Sequence, residues 1–169
     1  MGVVSFAQEV FMGMGSYSVE SFGDGLTVVV WQSQYQEAVQ NGGGWNWGVY
    51  GQVFGPKGSP LGDEFLINTY TESNQGTPAI ATLDDGGFIV TWYDDSGHSG
   101  GSSYDIRGQR FNSSGEVSGN EFLINTEVSG TQTSPAVSSL NDGDFVVTWR
   151  DDNGSRHGRS RNQIRPKRI

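Results

Sequence analysis

Apolar residues along this chain gather in short runs, each bounded by Asp, Gly, Asn or Ser, and nowhere recur at the spacing of a helix. The run Phe88-Ile89-Val90-Thr91-Trp92 is almost wholly β-branched or aromatic, which predicts a strand buried on both faces. It follows Asp84-Asp85-Gly86-Gly87, a hairpin signal, because glycine accepts positive φ and aspartate caps the turn. Ahead of that turn, residues 78–83 alternate apolar and small side chains and predict the partner strand. Beyond a polar Asp/Ser/Gly loop, residues 104–111 predict a third strand. A fourth, at 121–125, follows Asn112-Ser113-Ser114-Gly115. The pattern is all-β, in units of four short antiparallel strands.

The same landmarks return along the chain. Phe65-Leu66-Ile67-Asn68-Thr69 recurs as Phe122-Leu123-Ile124-Asn125-Thr126, and Gly51-Gln52-Val53-Phe54 as Gly108-Gln109-Arg110-Phe111, each 57 positions later. Asp85-Gly86-Gly87-Phe88 through Trp92 returns as Asp142-Gly143-Asp144-Phe145 through Trp149, again at 57. A looser copy, Asp24 to Trp31, lies 61 before Trp92, the extra residues falling in a Gly-rich stretch after Trp31. One period shared by independent landmarks is the signature of a repeat architecture. Four antiparallel strands with a doubly buried second strand predict sheets stacked face to face. The expected fold is therefore an incomplete β-propeller-like repeat array of four-stranded antiparallel blades. A solenoid coil would be shorter, and a tandem sandwich would need about seven strands per unit.

The expected organisation is an N-terminal segment at 1–15, a divergent unit at 16–69, a complete unit at 78–126 and the first half of a third at 135–149. A basic tail follows at 150–169. Such a partial set does not close a ring of about four to eight blades, so pairing with further copies or membership of a longer array is expected.

Composition refines this picture. Hydrophobic residues make up only 34% and there are 26 Gly, a balance that leans towards disorder. The 5 Trp, 9 Phe and 6 Tyr recur in order, however, and aromatics bury enough area to hold small sheets. There is no Cys, so a secreted repeat protein of this kind would need a staple other than a disulfide, and bound cations are a common one. No apolar run reaches transmembrane length, and the first residues lack the basic-then-apolar pattern of a secretory signal. The net charge of −9 is unevenly placed: residues 1–149 carry 17 acidic against 3 basic groups (−14), and residues 150–169 carry 7 basic against 2 acidic (+5). The body repels nucleic acid and anionic membranes; only the tail attracts them. The tail lacks the Gly-Gln strand expected after Trp149. Its readings are a shifted reading frame, a segment without packed structure, or a basic arm for an anionic surface.

Two groups of residues carry candidate chemistry. Hard cations such as calcium prefer several oxygen ligands. Asp84, Asp85, Asp94, Asp95 and Asp105 in one unit, with Asp142 and Asp144 in the next, supply carboxylates in loops. The loop from Asp94 to Asp105 is the best candidate, although Asp before Gly is also plain turn chemistry. None of these loops has EF-hand or calcium-nonapeptide spacing. Trp45, Asn46 and Trp47, in a Gly-rich insertion, pair indoles with an amide and form a candidate sugar-stacking surface. The alternative for Trp47 is the start of a strand. No Ser-His-Asp set, nucleophile elbow or phosphate loop appears, and Arg107 and Arg110 are the only arginines before position 150. Repeated residues build scaffold more readily than an asymmetric catalytic centre. The expectation is a protein that is not an enzyme.

At these strand motifs the chain resembles the tandem repeats of large bacterial, notably cyanobacterial, exoproteins, which read approximately P-x-V-A-x-L-x-D-G-G-F-V-V-T-W, then G-x-x-x-Q-R-F, then G-x-E-F-x-V-N-T. The match is good over residues 78–149 and loose over 16–69. Such repeats occur in surface or hemolysin-type calcium-binding proteins. The resemblance thus implies an extracellular or cell-surface module for adhesion or matrix assembly; with the acidic loops, the indoles and the open blades, the expected module is braced by calcium and binds carbohydrate or other copies of itself. A ligand-free scaffold and a fragment of a propeller glycosidase are the alternatives.

Overall fold

The computed structural model describes residues 15–34, 46–98, 104–152 and, as backbone, 161–167. Three antiparallel sheets are built in chain order, each strand pairing with its sequence neighbour. The first sheet contains β1 (Tyr17–Ser21), β2 (Thr27–Gln34), β3 (Trp47–Phe54) and β4 (Pro60–Leu66). The second contains β5 (Gln75–Thr82), β6 (Phe88–Asp94), β7 (Asp105–Phe111) and β8 (Val117–Leu123). In the third, β9 (Thr131–Ser139) and β10 (Phe145–Asp152) are joined by β11 (Arg161–Lys167).

The Asp-Gly hairpin forms as its residues dictate. Leu83 N–H donates to Gly87 O at 2.8 Å, Gly86 N–H to Leu83 O at 3.0 Å, and Gly86 takes φ 81°. Two strand starts differ most from the pattern. The fourth strand begins at Val117 rather than 121: Gly108 pairs with Phe122 and Arg110 with Ser118, so Gly119-Asn120-Glu121 of β8 bulges opposite Gln109 and the polar stretch joins the ladder. The first strand begins at Gln75, ahead of Pro78, with a register shift between Gly76 and Ala79. At that shift Thr77 has φ 46°, and Ser134, its equivalent 57 residues on, has φ 54°. The third unit also continues past Trp149. Arg161–Lys167 lies antiparallel to β10, with Ile164 opposite Thr148, where the sequence pattern ends at the second strand.

The sheets stack through alternating faces of their second strands. Val90 and Trp92 of β6 point towards the first sheet and pack with Val28, Val30, Val49 and Ile67. On the other face of the second sheet, Ile89, Ile106 and Ile124 pack with Phe145, Val147 and Trp149 of the third. The front face of each sheet, bearing the repeated Trp, thus covers the rear face of the sheet before it. Trp92 is 0% exposed, and truncating a Trp so placed costs about 3–5 kcal/mol. The first strands of neighbouring sheets, β1 with β5 and β5 with β9, lie against one another. Third and fourth strands come close through their glycines: a Cβ on Gly108 would sit 3.1 Å from Phe122 and Ile124, and one on Gly51 would sit 2.9 Å from Phe65.

Candidate functional site

Antiparallel order places the longer connections, between β4 and β5, β6 and β7, and β8 and β9, at one end of the stack. At this end the repeat builds a buried polar clasp from three side chains. Asn68, just beyond β4, accepts from Val49 N–H at 2.7 Å and donates to Gln75 Oε1 at 3.3 Å and Tyr70 O at 2.8 Å. Gln75 opens β5 and donates to Glu72 O at 2.8 Å and to Asp94 Oδ1 at 3.0 Å, at the end of β6. The second copy is displaced by 57 residues at every member. Asn125 accepts from Ile106 N–H at 2.7 Å and reaches Gln132 at 3.5 Å, and Gln132 donates to Asp151 at 3.2 Å. The three side chains of each copy are buried, with exposures between 0% and 8%. Buried polar groups must find partners or cost stability, and here those partners tie the end of one sheet to the first two strands of the next.

The second sheet adds a charged element. Arg107 Nε donates to Asp94 at 2.6 Å and its Nη1 to Glu121 at 3.1 Å, with side-chain exposures of 7%, 2% and 3% for Arg107, Asp94 and Glu121. Glu121 also accepts from Thr69 N–H at 2.6 Å, across the junction with the first sheet. Burial pushes the Glu121 carboxyl above its ordinary value, against the opposing influence of the Thr69 N–H and the Arg107 charge. The equivalents of Asp94, Arg107 and Glu121 in the first sheet are Ser33, Tyr50 and Glu64, so the guanidinium is not part of the repeated pattern. It lies 4.6 Å from the Tyr70 ring centroid. Tyr70 also meets the His98 ring at 4.1 Å, and His98 Nε2 is 3.5 Å from Glu72 Oε2. Tyr70 is 36% exposed, and Glu72 lies open to solvent. An ion triad closed to solvent thus supports a half-exposed patch of Tyr, His and Glu.

The aspartates singled out from the sequence fall into different settings. Asp94 and Asp105 are register partners across β6 and β7, yet Asp94 binds Gln75, Ser96 and Arg107 while Asp105 accepts from Asn125 at 2.7 Å. Asp95 accepts from Ser73 Oγ at 3.1 Å. In the turn at the opposite end, Asp85 accepts from Gly87 N–H at 2.9 Å and pairs with Arg110 at 3.0 Å, and Asp84 accepts from Gly143 N–H at 3.3 Å. Asp144 follows a single 3₁₀ turn, with its carbonyl taking the Leu140 N–H at 2.8 Å; the side chain of Asp142, within that turn, lies outside the described residues. Among the described residues no group of three or more His, Asp or Glu side chains converges as a metal site. Trp47 opens β3, and its N–H donates to Asn74 at 3.2 Å. Asn46 is half-buried beside it, and Trp45 lies outside the described residues. The structure therefore does not join the seven aspartates into one centre. Gln75 and Gln132, which sequence reasoning missed, carry the clasp. Their signal was the shared 57-residue spacing, seven after each repeated Asn.

No family model and no curated protein matches the chain. Solved structures do share its fold. An endo-arabinase from Bacteroides thetaiotaomicron matches with a TM-score of 0.56 and 17% identity, over 92% of this chain and 56% of that one. A protein of unknown function from Dyadobacter fermentans matches with a TM-score of 0.62 and 12% identity, over 92% of this chain and 51% of that one. The chain spans about half the length of each. At such identities the likeness is one of fold.

Proposed function

We propose that this chain is a non-catalytic, propeller-type repeat module that recognises carbohydrate at its long-loop end, as part of a surface or matrix protein. The propeller reading is supported by sheets that stack front to rear with their first strands together, and by the fold likeness to a carbohydrate-degrading enzyme. One observation carries the functional reading. The buried carboxylates at the long-loop end are held by Gln75, Gln132, Arg107 and Asn125, leaving Tyr70, His98 and Glu72 as the accessible patch. An aromatic ring beside a carboxylate and an imidazole suits the apolar faces and hydroxyl edges of a sugar. The test is retention on a glycan array, followed by calorimetric titration of the retained sugar. Binding that Tyr70→Ala abolishes is the expected result. A folded protein that retains no glycan, or that binds equally well without Tyr70, refutes the reading.

The likeness to an endo-arabinase favours a second reading, a segment of a propeller glycosidase. Release of reducing sugar from arabinan by this chain would select it over the non-catalytic one.

A further inference from the structure

Resting on the carbohydrate reading above, we infer that the long-loop end binds an extended, neutral oligosaccharide, laid across the first two sheets on a row of aromatic rings, Trp47, Tyr70 and Tyr104. The repeat places the row. Trp47 opens β3, and Tyr104, 57 residues later, stands immediately before β7, so the two hold equivalent positions at the same end of neighbouring sheets. Sheets packed face to face lie about 10 Å apart, a separation longer than one sugar ring. Tyr70 belongs to the connection between β4 and β5, which touches both sheets. Asn74 of that connection accepts from Trp47 N–H at 3.2 Å, and the Tyr70 ring centroid lies 4.6 Å from the Arg107 guanidinium of β7.

The Tyr104 end of the row is built as an open platform. Tyr104 stacks on Tyr93 with ring centroids 5.1 Å apart at 26°, and both residues, like Trp47, are half-buried. Among the described residues neither tyrosine hydroxyl has a hydrogen-bond partner, and neither is sealed from solvent. Burial, with Tyr104 and Asp95 nearby, raises the Tyr93 hydroxyl above its ordinary value, which keeps it a neutral donor. Asp95, held by Ser73 Oγ at 3.1 Å, adds a carboxylate acceptor. Rings for the apolar faces of sugars, with donors and an acceptor for their hydroxyl edges, thus recur beyond the Tyr70 patch. A balance of −14 over residues 1–149 disfavours uronic or sulfated chains. The ligand is therefore neutral, and long enough to reach more than one ring.

The test is calorimetric titration of the whole chain with gluco-, manno-, xylo- and arabino-oligosaccharides, from monosaccharide to hexasaccharide, and with oligogalacturonates. Affinity for a neutral series is expected to rise at least about tenfold between monosaccharide and tetrasaccharide. Tyr104→Ala should abolish that rise and leave the monosaccharide affinity, set at Tyr70, unchanged. The main-chain bond from Gln132 N–H to Tyr104 O, at 2.9 Å, survives this substitution. Where Tyr104→Ala lowers the melting temperature, Trp47→Ala tests the other end of the row, and Tyr104→Phe, which keeps the stack, should retain most of the rise. Val117→Ala, at the exposed start of β8 and the opposite end of the sheet, is the control and should change nothing. Equal affinity for monosaccharide and tetrasaccharide overturns this inference while leaving the carbohydrate reading in place. A rise that survives both Tyr104→Ala and Trp47→Ala overturns it too, as does tighter binding of oligogalacturonates. Folded wild type that binds no sugar of any length overturns both readings together.

Discussion

Asn125→Ala is the most direct probe of the buried clasp. The substitution removes the acceptor of the Ile106 N–H, a 2.7 Å bond on a residue with 0% exposure. An orphaned buried donor of this kind costs about 1–3 kcal/mol. It also removes the 2.7 Å donor to Asp105, and a hydrogen bond to a charged group contributes about 1.5–3 kcal/mol. The Gln132 contact at 3.5 Å is too long to add much. Partial relaxation keeps the sum below its upper limit, so a loss of about 3 kcal/mol is expected. Urea unfolding followed by tryptophan fluorescence measures it as a fall in midpoint at unchanged slope. Asn68→Ala, which removes the equivalent 2.7 Å acceptor of Val49 N–H, should cost a similar amount. A loss under about 1 kcal/mol at both sites would refute the claim that the clasp anchors the fold. A large loss at only one would refute its equivalence between units.

The ion triad and the surface pair should separate cleanly. Arg107→Met leaves Asp94 and Glu121 as buried carboxylates without their cation and is expected to cost about 3–5 kcal/mol. Arg110→Met breaks a pair whose Asp85 side chain is 60% exposed and should cost under about 1 kcal/mol by the same unfolding assay. Because burial raises the Glu121 carboxyl, folding takes up a proton there between its ordinary and its raised value. Its contribution to stability is therefore greatest below the ordinary value and declines as pH rises through the raised one. Wild type should gain on Glu121→Gln as pH is lowered through that window, and the opposite slope in pH-dependent melts refutes the assignment. Millimolar calcium should leave the melting midpoint unmoved, since Asp94 and Asp105 already hold protein donors; a rise reversed by EDTA overturns this.

The repeated apolar runs made the sheets legible. Phe88 through Trp92 reads as a doubly buried strand because it is packed on both sides, and the 57-residue offset placed its equivalent Phe145 through Trp149 correctly. Edges were harder to read. The polar residues that begin β8 look like loop because they face solvent on an outer strand, and Thr77 and Ser134 turn to positive φ within strands that contain Pro. The candidate site was legible only as a set of residue types. Asp94 and Asp105 stand out as carboxylates in a loop-rich region, but their partners depend on tertiary placement. Gln75 is the first residue of β5, and Arg107 comes from a strand whose pattern is not repeated at that position. The backbone of Trp47 enters the β2–β3 ladder opposite Gln34, as its strand alternative has it.

Because every strand pairs only with its neighbour in sequence, each sheet is also a mechanical element. A chain pulled from its ends would load the junctions, where the clasps share the polar tension with the Thr69–Glu121 and Gly143–Asp84 bonds. Once a junction gives way, its sheet can unravel without disturbing the ladder of the next. Each such event would pay out one unit of 57 residues, or about 190 Å of extended chain. Stretching would then proceed in steps of nearly equal length, so that an array of these units would behave as an extensible tether whose reach is set by how many junctions have opened.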